Sequence, residues 1–261
     1  MNLGPLLDQA LLTVLVFLRI ASALAVMPIY GYRGVPLTVK AGLAVFMAFL
    51  LQPAVHLPAQ YVTTQKGFFD FLALAVPEVI VGLIVGMIAG FIFYGAEMAG
   101  EFISLQMGFS IVTILDPMSE QQVSIIAQVQ YLFALLIFLT FNGHIYLLEG
   151  LQQTFQAIPL GGVHFSSDLF RLFLKLSSEM FVAAIKIAAP VTAALFLSEV
   201  ALGIIARTVP QMNVFLVSLP LKIGIGLLGL ALSLPMFAYI LDILWKRFQV
   251  DWRQFIALLG Q

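Results

Sequence analysis

Apolar positions along this chain fall in long, nearly unbroken runs rather than in alternation. Six runs stand out, over about residues 11–29, 41–57, 71–94, 123–148, 172–206 and 212–245. A helix needs roughly 20 mainly apolar residues to cross the hydrocarbon core of a bilayer. Every run reaches or approaches that length. The last two, at about 35 residues each, exceed it and fit tilted helices, kinked helices or hairpins. A strand barrel requires short alternating segments, which these runs lack. The pattern therefore predicts an all-α, polytopic membrane protein whose helices satisfy their own backbone hydrogen bonds.

Small residues and prolines refine that picture. Gly82, Gly86 and Gly90 recur every fourth residue in the third run, which keeps them near one helix face and predicts close helix packing. Gly224, Gly226 and Gly229 make the sixth run close-packing or bendable, and Ala183, Ala184, Ala188 and Ala189 lend the fifth a small surface. Pro77, Pro190 and Pro235 lie inside runs and predict kinks, because each removes a backbone donor. No internal repeat is evident. The polar-leaning interval 149–168 separates a four-segment unit from a two-segment unit within one membrane domain.

Composition excludes the soluble alternative. The chain is 62% hydrophobic with a mean hydropathy of +1.07, and only 10% of its residues are charged, against roughly 25% in soluble domains. A net charge of −1 leaves no basic footprint for nucleic acid. The absence of cysteine excludes disulfides and thiolate chemistry. The amino-terminal run has no Lys or Arg before it and is expected to stay in the mature protein.

The few charges inside apolar runs then become informative: Arg19, Glu78, Glu97, Glu101, Lys186, Glu199, Arg207 and Lys222. A charge at a bilayer centre costs at least about 2.5–3.5 kcal/mol. Such groups are expected to pair inside the bundle, line water, snorkel or sit at protein interfaces. Glu97 and Glu101 are four apart and disfavour each other unless a cation, solvent or a helix end intervenes. Lys175 and Glu179 have the supporting arrangement. Lys246, Arg247 and Arg253 favour a cytoplasmic carboxyl terminus. With an even number of crossings, Lys66 then agrees with the positive-inside bias, whereas Arg33 and Lys40 conflict with it.

Candidate chemistry is sparse. The chain has no HExxH motif, no P-loop and no Gly-x-Ser-x-Gly element. His56, His144 and His164 are far apart without ligand spacing, and His144 fits a helix–helix hydrogen bond. No enzyme activity, metal or cofactor is expected. Passage through a membrane and assembly of a membrane machine remain. One segment between the third and fourth runs bears on that choice, "GEFISLQMGFSIVTILDPMSEQ", residues 100–121. Gly108 permits backbone geometries denied to other residues. Met107 and Met118 are adaptable, and Phe109, Ile111, Val112, Ile114 and Leu115 suit closure against apolar groups. Asp116-Pro117 fits a turn or a helix start. By residue physics alone the segment suits a packed re-entrant loop as well as a gate.

Four local patterns carry a resemblance: "RIASALAVMPIYGYRGVPLTVKAGLA" (residues 19–44), "GAEMAGEFISLQMGFSIVTILDP" (95–117), "FNGH" (141–144) and "LGIIARTVPQMNVFLVSLPLKIGIGL" (202–227). In this order and at this length the chain resembles the FliR family of flagellar export proteins, related to SctT-type subunits of virulence type III secretion. "ARTVPQMNVF" looks closest to the flagellar branch. The resemblance implies a core export-gate subunit beside FliP-like and FliQ-like chains, near an FlhB-like protein and the basal-body ring. It implies a FliP-like part over 1–168 fused to a FliQ-like hairpin over 169–261. It further implies an inner-membrane position with much of the assembly raised toward the periplasm, and unfolded flagellar proteins as cargo. The implied plug covers about 106–119 and includes Gln106, Met107, Gly108, Phe109, Ser110, Ile111, Val112, Ile114, Leu115, Asp116, Pro117 and Met118. Glu97 and Glu101 would flank its entry, held by charges on neighbouring subunits, and Lys222 and Arg207 would belong to the hairpin side. An ATPase and the proton-motive force would supply the drive elsewhere. A stand-alone transporter or channel, and a purely structural assembly nucleus, are the alternatives.

Overall fold

The computed structural model describes residues 4–31, 34–55, 67–109, 124–162, 166–209, 211 and 213–259. The described residues form helices and no strand. In order these are α1 (Gly4–Val26), α2 (Leu37–Leu51) with a 3-10 turn at Gln52–Ala54, α3 (Phe68–Met107), α4 (Ile125–Thr140), α5 (Gly143–Ala157), α6 (Ser167–Thr208) and α7 (Val214–Leu259).

The six expected segments resolve into fewer simple spans. Among the described residues four helices are long and apolar enough to cross a membrane, at Asp8–Val26, Phe68–Met107, Ser167–Thr208 and Leu216–Leu258, and a fifth is reached if the bent pair α4–α5 counts as one. The 15 residues of α2 rise only about 22 Å, short of a hydrocarbon core of about 30 Å. The fourth run breaks at Asn142, whose φ of 54° is left-handed and ends α-helical continuation. The fifth and sixth runs do not split into hairpins. Each is one helix, of 42 and 46 residues, longer than any simple span requires. Pro77, Pro190, Pro220 and Pro235 all lie within continuous helices, as neighbouring groups and local adjustment allow in membrane helices.

Packing divides the chain into two compact units that interleave along it. One comprises Met1–Phe91, Leu139–Leu176 and Phe248–Gln261, and the other Ile92–Phe138 and Ser177–Arg247. The units interleave because α3, α4, α6 and α7 each contribute to both.

In the first unit, Leu15, Ile20, Leu24 and Met27 of α1 are buried, as are Val81, Val85 and Ile88 of α3, Leu147 and Leu151 of α5, and Trp252 and Phe255 of α7. Gly150 makes room for the Trp252 indole, because a Cβ there would lie 2.7 Å from Cε2. Lys175 of α6 donates to Asp251 of α7 at 2.9 Å. In the second unit, buried Phe93, Ala96, Ala99, Ile103 and Met107 repeat every three to four residues along α3, the spacing of one helix face. Phe93, Phe138 and Trp245 form an edge-to-face series with centroids 5.0 and 4.9 Å apart, a preferred aromatic arrangement.

Candidate functional site

Two places gather the residues singled out by the sequence. The first is an ion pair wholly inside the first unit. Arg19 on α1 donates from Nε to Glu78 Oε2 on α3 at 2.5 Å, and both side chains are 0% exposed. Both terminal nitrogens of the guanidinium donate too. Nη1 donates to the carbonyls of Thr154 (3.1 Å) and Ile158 (3.3 Å), and Nη2 to Ile158 (3.4 Å). These carbonyls lie at the end of α5, where a cation meets the negative end of the helix dipole. Glu78 Oε1 accepts the Gly161 N–H at 2.9 Å; Gly161 has a φ of 72°, a turn geometry natural to glycine. The guanidinium lies 4.4 Å from the Phe155 ring centroid, a cation–π distance. One ion pair thus ties α1, α3, α5 and the turn after α5.

Glycine brings the helices of this pair together. A Cβ on Gly82, one turn beyond Glu78, would run into Ser22 Oγ and the Arg19 carbonyl oxygen and lie 3.0 Å from the Ala23 nitrogen. On Gly86 it would lie 2.7 Å from the Ala23 carbonyl oxygen. Gly82 and Gly86 thus lie directly against the α1 backbone. Gly90 is buried on the same helix.

The second place lies in the second unit, where α3 stops. Gly108 has a φ of 89°, the Gly108 N–H donates to Leu105 O (3.2 Å), and the Phe109 N–H donates to Ser104 O (3.2 Å). These two bonds and the left-handed glycine are a Schellman ending. Met107 is fully buried. Its thioether lies over Gly226 of α7, where a Cβ would come 2.5 Å from Sδ. Gly229 meets Val191 of α6, whereas Gly224 faces open space. Leu105 and Gln106 line an open apolar groove of about 590 Å³ with Phe102, Ala189, Thr192 and Phe196, among others. Gln106 Oε1 is buried without a hydrogen-bond partner among the described residues. Ser110, Ile111, Val112, Ile114, Leu115, Asp116, Pro117 and Met118 lie outside the described residues, as do Arg33, His56, Lys66 and His164.

A Cβ at Gly108 would occupy the left-handed region at a cost of about 1–2 kcal/mol. Replacing Gly108 with alanine is expected to fray the end of α3, seen as several-fold faster amide exchange at residues 108 and 109. Parent-like exchange there would show that the ending does not depend on glycine.

The other charges divide. Lys222 of α7 pairs with Glu199 of α6, a partnership that 23 residues of separation conceal. Glu101 is half-buried and accepts the Ser124 N–H at 3.0 Å, and Glu97 is half-buried on the preceding turn. Lys186 and Arg207 are exposed. Sequence reasoning singled out Arg19 and Glu78 but not their connection, and missed Thr154, Ile158, Gly161 and Ser124 altogether. The available signal was that a lone buried charge demands a partner of opposite sign. Backbone partners leave no such trace. Among the described residues no group of three or more His, Asp or Glu side chains has a metal-holding arrangement.

Long apolar helices with charges neutralised inside the protein define a polytopic helical membrane protein. The family described as bacterial export proteins, family 1, matches residues 10–248. The flagellar biosynthetic protein FliR of Bacillus subtilis (strain 168) is 36% identical over 249 residues, covering 94% of this chain and 95% of the relative. FliR of Escherichia coli (strain K12) is 36% identical over 223 residues, covering 85% and 83%. FliR of Aquifex aeolicus (strain VF5) is 32% identical over 230 residues, covering 88% of each chain. The chain belongs to the FliR family of bacterial export proteins. A chain of this family is an export component.

Proposed function

We propose that this chain is a core subunit of the flagellar type III export gate in the bacterial inner membrane, and that residues 106–119, of which Gln106 and Met107 still belong to the last turn of α3, form its plug. Family membership supports the flagellar export role. The observation that carries the plug is the end of α3. A Schellman turn at Gly108 stops a 40-residue helix, and Ser124 at the far end of the segment is bonded back to Glu101 on that helix. The chain thus leaves α3 at Gly108 and returns to the same helix at Glu101, about two turns back, which suits a plug carried by a fixed collar. Gated passage of unfolded flagellar protein through such a channel involves no covalent step in this subunit.

FliP-like and FliQ-like chains are the assembly partners in this reading, with an FlhB-like protein and the basal-body ring nearby and much of the assembly raised toward the periplasm. The FliQ-like hairpin corresponds to 169–261. Its support is the pairing of α6 with α7 through Lys222–Glu199 and Val191–Gly229 across a short connection. Residues 1–168 correspond to the FliP-like part.

The test is co-expression with the genomic neighbours, native mass spectrometry of the purified complex, and deletion of residues 110–118 from the assembled complex. A mixed complex whose small-solute leak rises on deletion is the expected outcome. A partner-free protein obtained with those neighbours present would point to an autonomous transporter. An assembled complex with unchanged leak would leave only a structural nucleus.

A further inference from the structure

Ser124 precedes α4, and its Oγ accepts the N–H groups of Ile126 at 3.1 Å and Ala127 at 3.4 Å. That is the work of an N-cap serine. In a complete capping box the third helical residue is Glu or Gln, and its side chain reaches back to the N–H of the cap residue. The third residue here is Ala127, which has no such group. Ala127 is fully buried and lies against α3, where a Cβ on Gly100 would run into its Cα and come 2.8 Å from its nitrogen. The acceptor comes instead from the residue after Gly100: Glu101 Oε1 takes the Ser124 N–H at 3.0 Å.

We propose that Glu101 is the carboxylate half of a capping box split between two helices, a positioning residue that fixes where the chain re-enters at α4. The physics of an ordinary box carries over. A carboxylate at a helix amino terminus meets the positive end of the dipole, and a charged acceptor makes the stronger hydrogen bond. The same end of α4 offsets the like charge of Glu97 one turn earlier, which on α3 alone disfavours Glu101. Glu101 is thus engaged within its own chain. Gly100 and Glu101 act together: the glycine admits the α4 backbone and the carboxylate holds its first amide. The consequence for gating rests on the plug proposal; the cap itself does not.

The chain has no cysteine, so spin labels can be placed at Leu105 and Gln128, both exposed, in the full chain assembled with its neighbours. Dipolar electron paramagnetic resonance then reads the joint, and solute leak reads the channel. Glu101→Ala is expected to broaden the distance distribution, with roughly tenfold more of the separated component. Glu101→Gln keeps an acceptor oxygen and should retain most of the parent distribution, a rescue that loss of bulk packing would not show. A parent-like distribution in Glu101→Ala overturns the split cap. A broadened distribution without added leak leaves the cap standing and rejects the plug. Should Glu101→Ala not assemble, Glu101→Met, which keeps the bulk but no acceptor oxygen, is read by amide exchange in the first turn of α4. Loss of the acceptor should raise exchange at Ser124, Ile126 and Ala127 roughly threefold relative to Glu101→Gln, and an unchanged rate there overturns the inference.

Discussion

Replacing Glu78 with alanine is expected to destabilise the detergent-solubilised protein by about 3–5 kcal/mol. The cost arises from what stays behind. Arg19 is always charged and 0% exposed, and it would keep its carbonyl contacts but lose its counter-charge. The Gly161 N–H would lose its acceptor as well. For a chain of this size the midpoint of thermal unfolding should fall by on the order of 10 °C. Arg19→Ala should cost a similar amount, because it strands the carboxylate and leaves the Ile158 carbonyl without its donor, while the Thr154 carbonyl keeps the Ile158 N–H. Replacing both with Leu or Met should not restore the parent, unlike an ion pair whose only partners are each other, since the Ile158 carbonyl and the Gly161 N–H lose their partners. A midpoint shift below about 2 °C for Glu78→Ala would mean that the pair is far better solvated than its burial indicates.

The second large effect is steric. Gly82→Ala should cost about 1–3 kcal/mol, because the new methyl meets the Arg19 carbonyl and the Ser22 side chain of α1. A flexible side chain could move aside, but backbone cannot without shifting the helix. The shift would also disturb Arg19, which shares that turn of α1, so Gly82 and Glu78 substitutions should be non-additive. Gly224→Ala is the matched control. Nothing lies within 4 Å of a Cβ there, and removing a helix-interior glycine should stabilise by roughly 0.5–1 kcal/mol. Melting curves of the two variants should therefore move in opposite directions. Movement in the same direction would show that helix propensity, not contact with α1, governs Gly82.

Glu78 and Gly82 also mark the border between what was legible and what was not. The four-residue glycine period announces a contact face within one helix, but it carries no information about which helix arrives. That Arg19, 59 residues away, comes to this face depends on how α1 folds back, a long-range choice. Lys222 and Glu199 repeat the lesson across a turn. The short α2 and the break at Asn142 were hidden for another reason. Apolar content measures how well a segment suits lipid, not where its backbone stops being helical. Conversely, Pro190 and Pro235 suggested breaks that the helices absorb.

The sequence by itself determined the class of this protein. Hydrophobic runs and scarce charge leave only a bundle of membrane helices, because free backbone groups and isolated charges are too costly in an apolar medium. Its ordered motifs also determined the family. Only the tertiary structure decided the pairings: Arg19 with Glu78 and the end of α5, Met107 with Gly226, and Glu101 with the start of α4. The reason is physical. Solvent preference is a property of each residue and its neighbours along the chain, whereas neutralising a buried charge or capping a helix requires a particular partner at hydrogen-bond distance, and that partner can be supplied from anywhere the fold brings close.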